Sequence, residues 1–201
     1  LLSYLLASFS GPAALFMYSL LAVMAFAVAV VIERSLVLWR TRCDADAVVA
    51  RVEAGIGGGS APALGDTPLE LVLGAGSRWT DPELAWEAMA GASVAAEQRL
   101  RRRVSYLSTI ASVATMIGLF GTVYGLILAF GALGDVAGAE RAAALSEGSS
   151  TAMASTAFGL LVAIPALAAH AFFDATVRDR LADIERAASR LVLTLKARAR
   201  A

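Results

Sequence analysis

From residue 104 to residue 134 the chain carries no charged side chain. A helix needs about 20 consecutive apolar residues to cross the hydrocarbon core of a bilayer, and this run exceeds that. Residues 1–32 and 148–173 are two more charge-free runs of sufficient length. Hydrophobic residues make up 58% of the chain, against roughly 45–50% in ordinary soluble domains. A strand-built barrel would alternate apolar and polar residues over short segments, and no such alternation is visible. The chain therefore reads as an all-α membrane protein with three transmembrane helices.

Net charge is zero, but the 17 Lys and Arg residues are unevenly placed. They cluster between Arg34 and Arg103 and between Arg178 and Arg200, with Arg141 alone between the second and third runs. Basic residues collect on the cytoplasmic side of a membrane. The expected order is therefore a periplasmic interfacial helix (1–11), a first transmembrane helix (12–32) and a cytoplasmic helical domain (33–103). A second transmembrane helix (104–133), a periplasmic loop (134–147), a third transmembrane helix (148–173) and a cytoplasmic C-terminal helix (174–201) follow. In a bacterium this places the protein in the inner membrane, N-terminus outside and C-terminus inside. The first run lacks a basic n-region and a small-residue cleavage pattern, so it reads as a span rather than a cleaved signal. Cys43, the single cysteine, has no intrachain disulfide partner and reads as a structural thiol.

Local signals refine this order. Gly11-Pro12 breaks any preceding helix. The first span is expected to run on through residues 35–54, with Trp39 near the interface. Residues 55–66, with five glycines and Pro62, read as a linker. A phosphate-binding loop would need a following Lys-Ser/Thr, which is missing. A short helix is expected at 68–78. Thr80 with Glu83 suggests a capping box, opening a helix that continues unbroken to about residue 133. Arg101, Arg102 and Arg103 read as a snorkelling collar rather than a nucleic-acid site. Pro165 should loosen the third helix. Beyond it, Leu181, Ile184, Ala188 and Leu191 form the apolar face of an amphipathic segment.

Inside the spans the polar residues are hydroxyls. Ser105, Ser108, Ser112, Thr115 and Thr122 follow helical spacing along the second span. On the third, Thr156, Ala163 and His170 share a face, and Thr151 and Ser155 lie one turn apart. Isolated intramembrane hydroxyls often bond a carbonyl four residues back or serve helix packing. A stripe of five points instead to a helix lining something wet. Gly118, Gly121 and Gly125 read as close helix packing of the GxxxG kind. No Asp, Glu, Lys or Arg lies within any span, although intramembrane proton pathways hold a group that binds the ion. A conducting assembly must then borrow its carboxylate from another chain. Neither a cofactor nor a metal is called for.

The segments Gly118-Leu-Phe-Gly-Thr-Val-Tyr-Gly125 and Ser155-Thr-Ala-Phe-Gly-Leu-Leu-Val-Ala-Ile-Pro165 resemble paired signatures of the MotA/TolQ/ExbB proton-channel family. Val-Ile-Glu-Arg at 31–34 and Ala96-Glu-Gln-Arg-Leu100 are similar too, and the likeness is closer to the TolQ/ExbB branch than to flagellar MotA. The resemblance implies a homo-oligomeric, pentameric pore lined by the second and third helices. It also implies an ExbD/TolR-like single-span partner that brings an aspartate. It aligns Thr122 and Thr156 with the family's pore threonines; Thr115, Thr151 and Ser112 extend the ion pathway. Gly118, Gly121, Gly125 and Gly159 take the packing role, and Glu147 and His170 are candidates for the pore mouth. Two positions depart from many relatives: Thr115 replaces a proline and Thr151 a glutamate. The implied function is a stator subunit that turns proton motive force into mechanical work, in TonB-type transport, Tol-Pal or gliding motility. The alternative is a non-conducting membrane scaffold. An intramembrane hydrolase is disfavoured, because Gly148-Ser-Ser and His170 lie at opposite ends of the span, so no enzyme activity is expected.

Overall fold

The computed structural model describes residues 14–58, 64–133 and 138–200. The interfacial helix expected at 1–11 lies outside them. The described residues form six helices and no strand: α1 (Ala14–Arg40), α2 (Ala45–Gly58), α3 (Pro68–Gly76), α4 (Pro82–Arg101), α5 (Val104–Ala132) and α6 (Ala139–Ala199). Three of the helical stretches are long and apolar enough to cross a membrane. They fit an all-α membrane protein.

The chain divides into two compact units. The first holds α1 to Glu33, α5 and α6 to Ala171; the second holds the end of α1, α2, α3, α4 and α6 from Phe172.

In the first unit the buried positions of α5 begin with Val104, Leu107 and Ile110 and from there on are small and recur at helical spacing: Ala111, Ala114, Gly118, Gly121, Gly125 and Ala129. The other faces stay apolar and open, with Met116 66%, Phe120 60% and Ile127 62% exposed on α5 and Met153 70% exposed on α6. Exposed apolar surface on this scale needs lipid or another protein to cover it.

The second unit has an ordinary core. Val48, Val49 and Val52 of α2, Val72 and Leu73 of α3, and Met89 and Leu100 of α4 are fully buried. Val177, Ile184, Ala188 and Leu191 form the buried stripe of α6. Outside the core, Arg190 reaches Asp46 at 3.0 Å and Thr194 donates to Glu53 at 2.8 Å. Arg178 and Arg101 flank Asp174. Arg178 first, then Arg101, holds the Asp174 carboxyl below its usual range.

Several local expectations are corrected. The helix expected to run unbroken to residue 133 stops at Arg101 and restarts at Val104. Arg103 adopts a left-handed backbone with φ 62°, at an ordinary cost of about 1–3 kcal/mol for a non-glycine residue. Its guanidinium pairs with Glu33 at 2.5 Å. Asp81, not Thr80, caps α4, accepting from the N–H groups of Glu83 at 2.7 Å and Leu84 at 3.2 Å. Pro82 at the first helical position explains the shift, because it holds the residue before it extended. The helix of the first span ends at Arg40, and Asp44 starts α2 by accepting from Asp46 N–H at 3.0 Å. α2 runs through Gly55 to Gly58, inside the expected linker. α6 begins at Ala139, inside the expected loop 134–147. Pro165 lies inside α6.

Thr67 and Glu70 form a capping box at the start of α3. The Glu70 N–H donates to Thr67 Oγ1 at 3.4 Å, and the Thr67 hydroxyl donates to Glu70 Oε2 at 2.7 Å. Arg51 reaches the other carboxylate oxygen at 3.0 Å. Glu70 is buried. The Thr67 hydroxyl above all, helped by Gly65, Arg51 and Thr67 N–H, outweighs burial and holds its carboxyl below the ordinary 4.5. A carboxyl lowered in the folded state stabilises above its unfolded value and loses that contribution as pH falls through the folded one. The melting temperature in detergent should therefore drop on acidification below pH 4.5. Glu70→Gln should flatten that acid limb. At neutral pH it should lower the melting temperature by several degrees, as a loss of roughly 1–3 kcal/mol implies.

Candidate functional site: the α5–α6 seam

The two helices meet through residues with almost no side chain. A Cβ placed on Gly159 would sit 2.8 Å from Ala114 O and 3.0 Å from Gly118 Cα. One on Gly118 would lie 3.1 Å from both Gly159 Cα and Ser155 O. One on Gly125 would meet Ala152 Cβ at 3.0 Å. Backbones this close are the usual reason for small residues at intramembrane contacts. Gly121 faces Ser155, whose hydroxyl occupies the space a side chain at 121 would need. Ser155 is wholly buried and its Oγ has no hydrogen-bond partner among the described residues. The rings of Phe120 and Tyr124 pack edge-on against Phe16 of α1, at centroid distances of 5.4 and 5.3 Å.

At the centre of this contact two hydroxyls meet. Thr122 Oγ1 and Thr156 Oγ1 are in direct hydrogen-bond contact. Thr122 also lies 3.2 Å from Gly118 O on its own helix and 3.2 Å from Ala152 O on α6. Thr156 Oγ1 lies 3.2 Å from Gly118 O across the seam. One hydroxyl donates to the other, and the accepting one gives its own proton to a carbonyl, which still leaves lone pairs for a third group. Such a pair suits a proton donor or a cation and does not ionise by itself. Neither threonine is fully buried.

The other hydroxyls behave differently. Ser112 donates to Ser108 O at 3.2 Å, Thr115 to Ala111 O at 2.9 Å and Thr151 to Glu147 O at 3.0 Å. Each is the own-helix bond four residues back that lets a hydroxyl sit in an apolar segment. Of the five candidate pathway residues, only Thr122 and Thr156 are joined across two helices by hydrogen bonds. Glu147 and His170 are 23 positions apart on α6. That is about 35 Å at 1.5 Å per residue, so they mark opposite ends of the apolar stretch. Among the described residues no group of His, Cys, Asp and Glu is placed to hold a metal. Ser155 was legible only as one more hydroxyl; its fit against Gly121 depends on the register between the helices.

Residues 65–186 match the sequence pattern of the MotA/TolQ/ExbB proton channel family. The chain belongs to that family. This MotA/TolQ/ExbB-family chain is 37% identical over 89 residues to the biopolymer transport protein ExbB of Aquifex aeolicus, a match covering 44% of this chain and 60% of that protein. It is 45% identical over 75 residues to the Tol-Pal system protein TolQ of Haemophilus influenzae, covering 36% and 32%. With TolQ of Pseudomonas aeruginosa the identity is 36% over 99 residues, covering 47% and 42%. The matches thus span between a third and three fifths of these relatives' lengths, on the TolQ/ExbB-like side of the family.

The seam makes a direct demand on substitutions. Gly159→Ala should weaken α5–α6 packing by about 1–3 kcal/mol, the usual range for overpacking, because backbone atoms cannot move aside. Gly131→Ala is the control: among the described residues nothing lies within 4 Å of a Cβ there, and it should be neutral or slightly stabilising. Thermal unfolding of the two variants in the same detergent checks this.

Proposed function

We propose that the chain is the ion-conducting stator subunit of an inner-membrane motor that converts proton motive force into mechanical work. Its α5 and α6 form the wall of a pathway built by several copies, five by the family resemblance. Thr122 and Thr156 present oxygen lone pairs to that pathway, with Ser112, Thr115 and Thr151 along it and Glu147 and His170 at its ends. An ExbD/TolR-like single-span partner supplies the titrating aspartate. The C-terminus is cytoplasmic, and the chain has no enzymatic role. The relatives' names, biopolymer transport and the Tol-Pal system, suggest the class of envelope work.

One observation carries this reading. In helices without a single Asp, Glu, Lys or Arg across residues 104–134 and 148–173, the Thr122–Thr156 pair makes a polar contact that joins two spans. A wall that offers acceptors and lacks an acid fits a carboxyl delivered from elsewhere. The own-helix bonds of Ser112, Thr115 and Thr151 favour a second reading, a non-conducting scaffold in which hydroxyls serve packing alone.

Proton flux into vesicles separates the two. The chain alone should give no leak, and co-reconstitution with an acidic single-span partner should give one. Thr122→Ala with Thr156→Ala should cut that flux by roughly tenfold or more, equivalent to about 1.4 kcal/mol on the barrier. Flux unchanged by the double substitution would remove the threonines from the pathway. Mass measurement of the purified chain should give an oligomer of five; a stable monomer would remove the ring.

A further inference from the structure

The second unit carries a groove of about 600 Å³ between α3 and α4. It lies outside the seam and plays no part in the function proposed above. Its walls are faces of two helices together with residues 64–65 before α3 and 77–78 after it. Gly74 and Ala75 of α3, and Ala92, Ala95 and Ala96 of α4, present almost no side chain. The α4 positions, with Arg99, follow the i, i+3, i+4, i+7 spacing of one helical face. Walls this shallow allow another backbone to approach closely, and a third helix laid along them would complete an ordinary helix–helix packing.

The charge around the groove has one sign to spare. Arg78 and Arg99 both line it and both are exposed. Arg78 makes no ion pair among the described residues, and Arg99 reaches only Asp66, at 3.5 Å, whose side chain is 90% exposed. The one buried carboxylate in the lining, Glu70, is already engaged by Thr67 and Arg51. Two guanidinium groups, Arg78 in the turn after α3 and Arg99 on α4, are thus left lining the groove.

We propose that this groove is a docking site for an acidic amphipathic helix of a partner protein. Its apolar stripe lies on the alanine and glycine walls, and its carboxylates reach Arg78 and Arg99. Helix-in-groove recognition uses apolar anchors for affinity and flanking charges for orientation and partner choice.

The test uses the whole chain in phosphatidylcholine nanodiscs. The probe is a fluorescein-labelled helical peptide with leucine at i, i+3, i+4 and i+7 and glutamate on both flanks. Its twin carries lysine in place of glutamate, and empty nanodiscs give the background. By fluorescence anisotropy the glutamate peptide should bind at least roughly tenfold more tightly than the lysine twin. Arg78→Glu with Arg99→Glu, two exposed positions that leave the core intact, should invert that preference. Ala95→Phe should abolish binding of both peptides by filling the trough. Equal binding of the two peptides, no inversion in the charge-reversed protein, or undiminished binding to the Ala95→Phe variant would each overturn the proposal. So would a groove closed to the probe because a second copy or the chain's own 59–63 segment fills it. None of these results depends on proton flux.

Discussion

The contact between α5 and α6 is possible because neither helix puts a large side chain there. With Gly118 against Gly159 and Gly125 against Ala152, the backbones approach closely enough for a hydroxyl on one helix to reach a carbonyl on the other. In lipid no hydrophobic force drives helices together, so dispersion across close surfaces and a few hydrogen bonds must do it. The same closeness brings Thr122 and Thr156 together. Packing and polarity therefore have one structural cause: a larger residue at 118 or 159 would separate the hydroxyls as well as the helices.

The two units use different chemistry to hold their helices. The first relies on small residues and leaves large apolar side chains facing outward, as at Met153 and Ile127. The second buries valine, leucine and methionine in a water-excluding core, and then ties its surface with Arg190–Asp46, Arg101–Asp174 and Arg51–Glu70. Ion pairs of the exposed kind contribute little individually. Arg51–Glu70 differs because the carboxylate is buried and shared with a capping hydroxyl, which gives it a defined place in the fold.

Much of this was readable in advance. The apolar helices followed from charge-free length alone, and the glycines of the second span from their spacing. The capping box Thr67-Pro-Leu-Glu70 is equally visible, because a Thr followed three residues later by Glu is the signature itself. The start of α6 at Ala139 was also legible, since Ala142-Ala-Ala-Leu is a strong helix former and only its polar neighbours suggested a loop. The break at Arg103 was not legible. No glycine or proline marks it, and the ion pair accompanying its left-handed backbone comes from a residue 70 positions away. Nor could the sequence distinguish hydroxyls that bond their own helix from the pair that joins two. Local spacing is the same for both, and only the register between α5 and α6 separates them.

Both members of the threonine pair come from one polypeptide, and their supporting carbonyls, Gly118 O and Ala152 O, do too. The pair is therefore complete before any assembly takes place. However many chains gather, each arrives with its own finished unit, so in a mixture of intact and altered chains the units are lost one at a time with the altered copies. A feature straddling two neighbours would instead vanish at every junction an altered copy touches. Dilution with defective chains thus reads out a count of independent parts.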